Sequence, residues 1–172
     1  MKTGEIFPTN TAPVVSMENG KPSLLLMKWG FPKLDGKGVV HNARSETASK
    51  KRMFAASFAH RRCVIPSTGF IEWTKGNEQP KQKLQFNTTD SPMLYMAGLY
   101  SVYSDYPHQK EGEQLSSRFV ILTQPANSSV NDIHSRMPVV LYKDEIRRFL
   151  TDSTFANAVM NRQTVVLNRK AA

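Results

Sequence analysis

Apolar and polar residues alternate over many short stretches of this chain, the two-residue period of half-buried β-strands. The first such stretches are Ala12 to Met17 and Ser23 to Trp29. Between them lies Glu18-Asn19-Gly20-Lys21, whose Asn-Gly pair predicts a tight hairpin turn. Further strands are expected at Gly38 to His41, Arg62 to Ile65, Gly69 to Trp73, Lys83 to Phe86, Met93 to Tyr103, Arg118 to Thr123, Pro138 to Tyr142 and Thr164 to Leu167. Each is rich in aromatic or β-branched residues.

Helical periodicity is rarer. Phe54 and Phe58 form an i, i+4 pair within Met53 to His60, and Ile146, Phe149 and Leu150 share a stripe in Asp144 to Leu150. Ser153 is placed to cap a helix over Thr154 to Met160. Ser104 to Ser117 is polar, with Pro107 and Gly112, and reads as a mobile surface loop between two strands. It is not a domain boundary, because neither side would keep a full core. The chain contains no internal repeat and no low-complexity tract. The expected fold is α+β and β-rich, a curved sheet or partly open barrel with a few short helices, in a single domain over residues 1–172.

Composition narrows the functional classes. With 40% hydrophobic and 22% charged residues, the chain can bury a core and lies far from the signature of disorder. Lys and Arg total 23 against 14 acids, for a net charge of +9 that favours polyanionic partners such as nucleic acid. No run approaches the ~20 apolar residues of a membrane span, and no apolar signal core follows Met1. A single cysteine, Cys63, excludes an internal disulfide framework and a cysteine-rich zinc site. Together these point to a cytoplasmic protein. His41, His60 and His108 show no metal-ligating spacing.

Chemistry could reside in a few blocks. Asn42-Ala43-Arg44-Ser45-Glu46-Thr47 sets an amide, a guanidinium, a hydroxyl and a carboxylate just after an apolar strand end, a place active sites favour. The same residues would also serve as an Asn-led helix cap with solvated charges. In Gly69-Phe70-Ile71-Glu72-Trp73, strand alternation sets Phe70 and Glu72 on one face and Ile71 and Trp73 on the other. In a cleft, desolvation would suit Glu72 to proton transfer; facing water, it is an ordinary strand residue. His134-Ser135-Arg136-Met137-Pro138 sets an imidazole two residues from a guanidinium, able to combine acid/base chemistry with phosphate binding. Cys63, in an apolar strand, fits a core residue better than a nucleophile. Trp29 and Trp73 could stack bases or simply be buried. No Ser-His-Asp or Cys-His arrangement is legible, which disfavours a peptidase acting on other proteins.

In order, Lys28-Trp29-Gly30-Phe31-Pro32, Asn42 to Thr47, Arg61-Arg62-Cys63, Pro66, Gly69 to Trp73, Ala97-Gly98-Leu99 and His134 to Pro138 resemble the SOS response-associated peptidase (SRAP) family. The resemblance runs from about Pro8 to Leu167. It implies a β-rich domain with a basic channel for single-stranded DNA containing abasic sites, working without metal or organic cofactor. By that resemblance Asn42 orients the reacting centre, Glu72 transfers protons, and His134 is the acid/base for ring opening and Schiff-base steps. Arg44 and Arg136 contact phosphates, and Trp29 and Trp73 wall the channel.

Members of the family open with Met-Cys-Gly-Arg, remove the methionine themselves, and use the exposed cysteine's amine and thiol to crosslink the abasic aldehyde. This sequence opens Met1-Lys2-Thr3-Gly4. A family segment of a few tens of residues is therefore expected to precede Met1. The expected activity of these residues alone is abasic-site sensing without a stable crosslink, by a monomer that joins the nucleoid on binding DNA. The alternative is a non-covalent single-stranded DNA-binding module.

Overall fold

The Asn-Gly turn forms as expected in the computed structural model, which describes residues 4–74, 80–89, 91–104, 115–162 and 165–172. β1 (Thr11–Glu18) and β2 (Lys21–Trp29) run antiparallel with Glu18 opposite Lys21. Asn19 and Gly20 take φ of 49° and 76°, the left-handed pair that lets a two-residue loop follow the strand twist. After them come a small ribbon of β3 (Phe31–Pro32) and β4 (Val39–Val40), then β5 (Asn42–Arg44), α1 (Ser45–Ala48) and α2 (Ala55–His60). The chain continues through β6 (Arg62–Ser67), β7 (Phe70–Trp73), β8 (Lys83–Asn87), β9 (Leu94–Ser104) and β10 (Leu115–Pro125). Last are β11 (Arg136–Pro138), β12 (Val140–Leu141), a 3-10 turn at Lys143–Glu145, α3 (Ile146–Thr151), α4 (Ser153–Met160) and β13 (Asn168–Ala171).

The main sheet closes on itself. β10 joins β2 in parallel at Arg118 and Phe119, and joins β9 antiparallel from Leu115 to Ile121. β9 pairs with β6, β6 meets β1 where Val64 faces Val15, and β1 returns to β2. Closure removes the exposed edges of an open sheet. These registers gather the ends of β2, β6 and β10 and the starts of β1 and β9 at one rim. Beside the barrel lies a three-stranded sheet of β7, β8 and β13.

Alternation then sorts the side chains into an inner and an outer cluster. Val14, Met27, Cys63, Ile65, Phe119 and Ile121 form part of the inner one. Phe86 of β8, Val130, Ile133 and Leu167 belong to the same cluster. Gly98 of β9 is required there by space: a Cβ would lie 2.5 Å from Ile65 Cδ1 and 2.8 Å from the Val120 carbonyl oxygen. Val64, Leu99, Val120 and Leu122 point outward and pack with Phe54, Phe58, Phe149 and Val159 of the helical layer. Each such buried side chain is worth about 1.5–3 kcal/mol.

One charged residue ties this layer together. Arg62, 6% exposed, donates to the carbonyls of Phe58 at 2.8 Å, Ala59 at 3.0 Å, Phe149 at 2.7 Å and Leu150 at 3.3 Å. These are carbonyls near the C-terminal ends of α2 and α3, which a helix cannot satisfy by itself.

The structure departs from the sequence reading in places. Residues 165–167 form no strand, because the Val165 carbonyl accepts from Asn127 Nδ2 and the Leu167 amide donates to Ser129 Oγ, each at 3.1 Å. β13 starts only at Asn168. Asp152, not Ser153, caps α4, its Oδ1 accepting from the Phe155 amide at 2.9 Å. Of the loop read between Ser104 and Ser117, Ser104 and Leu115 to Ser117 are strand. Residues 105–114, including His108, lie outside the described residues, as does Thr164.

Candidate active site

β10 organises the candidate residues. Its first half lies between β9 and β2, and its second half pairs in parallel with β5 on one side and antiparallel with β11 on the other. The register partners are Phe119 with Trp29, Ile121 with Asn42, Thr123 with Arg44 and Pro138, and Pro125 with Arg136. Partners in register share a face, and alternate residues of β10 share it too. Trp29, Asn42, Arg44 and Arg136 therefore stand on one face, towards the rim where β10 ends. Trp29 and Arg136 lie 107 positions apart in sequence; β10 brings all four into adjacent strands.

Asn42 and Arg44 are exposed while Ala43 between them is buried in the outer cluster, so β5 anchors through its middle residue and offers the flanking pair. Trp29 is half-buried. Its ring stacks on Phe119 at 6.0 Å and 7°, and its indole N–H donates to the His41 carbonyl at 2.8 Å. It is a fixed wall with one face already covered.

Arg136 crosses β10. Its Nη1 donates to Glu46 Oε1, its Nη2 to Glu46 Oε2 at 2.8 Å, and Nη2 also donates to the Thr123 carbonyl. This two-pronged pairing is the strongest geometry open to a guanidinium. It holds the Glu46 carboxyl down to about 2, the hydrogen bond from Arg136 outweighing partial burial. Glu46 was part of a motif in the sequence but not singled out, since its partner lies ninety positions away.

His134 sits where the segment after β10 returns to β11. Val130 and Ile133 anchor this segment in the inner cluster, and the His134 amide donates to the Val130 carbonyl at 2.9 Å. Its ring Nδ1 lies 2.9 Å from the Arg136 carbonyl oxygen and 3.1 Å from the Arg136 amide nitrogen. Whichever main-chain group it engages, Nδ1 is committed within the turn.

Glu72 and Trp73 stand on β7. Phe70 stacks on Phe86 at 5.0 Å and Leu84 faces Glu72, and all three apolar residues belong to or pack on the inner cluster. Glu72 shares that barrel-facing side and is half-buried; Trp73, on the other side, is 54% exposed with Lys83 Nζ 5.9 Å from its ring centre. Glu5 pairs with Lys83, which ties the N-terminal stretch to this sheet. Cys63 has no exposed surface, and burial pushes its thiol pKa well up, which suits a core residue.

A cleft of roughly 300 Å³ opens beside the Glu46–Arg136 pair, lined among others by Ser45, Gln124, Asn127, Asn161 and Arg162. Among the described residues no group of His, Cys, Asp and Glu could hold a metal ion, and no helix is long and apolar enough to cross a membrane.

Comparison with solved structures identifies the architecture. A protein from Bacteroides thetaiotaomicron matches with a TM-score of 0.78 over 95% of this chain and 74% of its own, at 23% identity. A phage-related protein from Bordetella bronchiseptica matches with a TM-score of 0.77 at 21% identity, covering 97% of this chain and 80% of its own. In sequence, the chain is 34% identical over 126 residues to the abasic site processing protein YoaM of Bacillus subtilis, covering 73% of this chain and 53% of that one. The abasic site processing protein YedK of Escherichia coli is 32% identical over 71% of this chain and 52% of its own. The corresponding HMCES protein of Xenopus tropicalis is 31% identical over 74% of this chain and 44% of its own. The chain thus spans about half the length of the curated relatives it matches. The family model described as SOS response associated peptidase (SRAP) matches residues 2–170, and the chain belongs to that family.

Proposed function

We propose that this chain recognises abasic sites in single-stranded DNA, with the reacting sugar held at the barrel rim. The observation that carries the reading is the convergence on β10 of an exposed amide, an exposed guanidinium, the Arg136 guanidinium and an indole, with the His134 ring hydrogen-bonded to the main chain of Arg136. The names of the relatives, abasic site processing proteins, support the same substrate class.

In this reading Arg44, which is exposed, and Arg136, which Glu46 holds in place, contact phosphates of the strand. Trp29 and the outward Trp73 wall its path. An amine attacks the aldehyde carbon of the ring-opened sugar, and the resulting carbinolamine loses water to give an imine. That sequence needs a proton delivered to the departing hydroxyl and one removed from nitrogen. His134 Nε2 and Glu72 are the groups we assign to these transfers, and Asn42 orients the sugar. In members of the family that crosslink, self-removal of the initiator methionine has first exposed the cysteine's amine, and the same cysteine's thiolate then adds to the imine and closes a stable ring. The one thiol in these 172 residues, Cys63, is buried and cannot take that part.

The test is incubation of the 172-residue polypeptide with an abasic single strand, with and without borohydride, on denaturing gels. An adduct trapped only with reductant, and reduced by Glu72→Gln and His134→Gln, is expected. A reductant-independent adduct would sink the reading that an amine acts here without a thiol to close the ring. A second reading, a non-covalent single-stranded DNA module, is favoured by the exposed Trp73 beside Lys83. It predicts no trapping under any condition.

A further inference from the structure

We propose that Glu46 is a positioning residue for His134, acting through Arg136. This rests on the reading of His134 as the acid/base at the rim. No contact joins Glu46 to the ring directly; the link is built from consecutive steps. The carboxylate of Glu46 engages both terminal nitrogens of Arg136. Arg136 is fixed a second time by the Thr123 carbonyl on β10, and its Nε is buried with no hydrogen-bond partner. A guanidinium held at both terminal nitrogens by one carboxylate and again by a main-chain carbonyl has little freedom to rotate.

The main chain of the same residue holds the imidazole. The amide nitrogen and carbonyl oxygen of Arg136 lie 3.1 and 2.9 Å from His134 Nδ1, so the position of that peptide sets the ring's orientation and, through whichever of the two groups Nδ1 engages, its tautomer. Glu46 sits at the start of α1, immediately after β5, which carries Asn42 and Arg44. The pair therefore clamps the segment bearing Asn42 to the segment bearing His134 across β10, and fixes their spacing. In a site where acid/base groups must lie within about 3 Å of the reacting atoms, that spacing decides whether both reach one sugar.

The experiment is nitrogen NMR of the protein labelled in histidine, with His134 assigned by His134→Gln. The wild type should show well-separated ring-nitrogen shifts, the mark of one held tautomer. In Glu46→Ala this separation should fall by about half or more as tautomers average, while Glu46→Gln, which keeps an oxygen for Arg136, should retain most of it. Arg136→Lys, a point charge in place of the fork, should lose it as Glu46→Ala does, and serves if the alanine variant fails to fold. Wild-type separation in a folded Glu46→Ala or Arg136→Lys protein overturns the proposal. The functional reading fails separately: unchanged borohydride trapping by His134→Gln would remove the imidazole from the chemistry and leave the NMR result for Glu46 intact.

Discussion

With its carboxyl held down to about 2 by Arg136, Glu46 is ionised at neutral pH and well below it. The unfolded chain binds that proton first, near the ordinary value of 4.5. The pair's contribution is thus complete above 4.5 and is lost as pH falls towards 2. Because the Glu46 side chain is 44% exposed, screening keeps this to about 1 kcal/mol or less. Thermal melts of wild type and Glu46→Gln should converge as pH falls through that window; parallel curves would mean the pair is not formed in solution. At the same scale, Trp73→Ala should weaken single-stranded DNA binding by about 1–3 kcal/mol and barely change the melting temperature, since the ring is 54% exposed. Equal affinity in a fluorescence titration would remove Trp73 from the channel. That Glu72 and Trp73 lie on opposite faces of one strand was legible from alternation, which is a local rule. Which of the two turns towards the barrel was not legible, because that depends on how the small sheet packs. The Glu46–Arg136 pair was not, because no local pattern matches a carboxylate to one guanidinium among 23 basic residues.

Most strands and helices with their own periodicity were found close to their true bounds, β7 and β8 to within a residue. By contrast, β10 runs beyond the expected Arg118 to Thr123 at both ends, and residues 165–167 form no strand. Missed were β3, β5, β11 and β13, two to four residues each and too short to carry a period; β5 and β13 exist only because a distant strand accepts them. For β5 that strand is β10, and without the pairing Asn42-Ala43-Arg44 reads equally as a helix cap. Arg62 shows the same dependence in a side chain, for it terminates helices on either side of it in space. Replacing it with Met keeps the bulk and leaves several helix-end carbonyls without donors, so a loss of about 3 kcal/mol or more is expected. Arg62→Lys should recover little, since an ammonium cannot fork between two helix ends. Urea denaturation measures both, and a loss under about 1 kcal/mol in Arg62→Met would show that water replaces the guanidinium.

For the molecule as a whole, composition and alternation gave the class, β-rich with few helices, while barrel closure lay beyond them. Closure depends on β10 meeting β2 through Arg118 and Phe119 alone, a parallel pairing ninety positions apart. The net charge of +9 acts at this scale too. Affinity for single strands should fall steeply with salt, by about 0.7 in log–log slope for each phosphate neutralised, and should exceed affinity for duplex at every ionic strength. Equal affinities would argue for a surface that reads charge only.

The parallel seam between β2 and β10 also sets an order of events. The β1–β2 and β9–β10 hairpins join residues near in sequence and can form early, whereas the seam must close a loop of ninety residues. Trp29, Asn42 and Arg136 become neighbours only after β10 has its partners on both sides. Refolding should therefore proceed through species with formed hairpins and no competence for DNA. In a Trp73→Phe variant, the fluorescence of Trp29 on Phe119 should report the seam, and recovery of single-strand binding should track it rather than the earlier rise of strand circular dichroism. Binding that returned with the hairpins would mean that the rim is assembled before the barrel is.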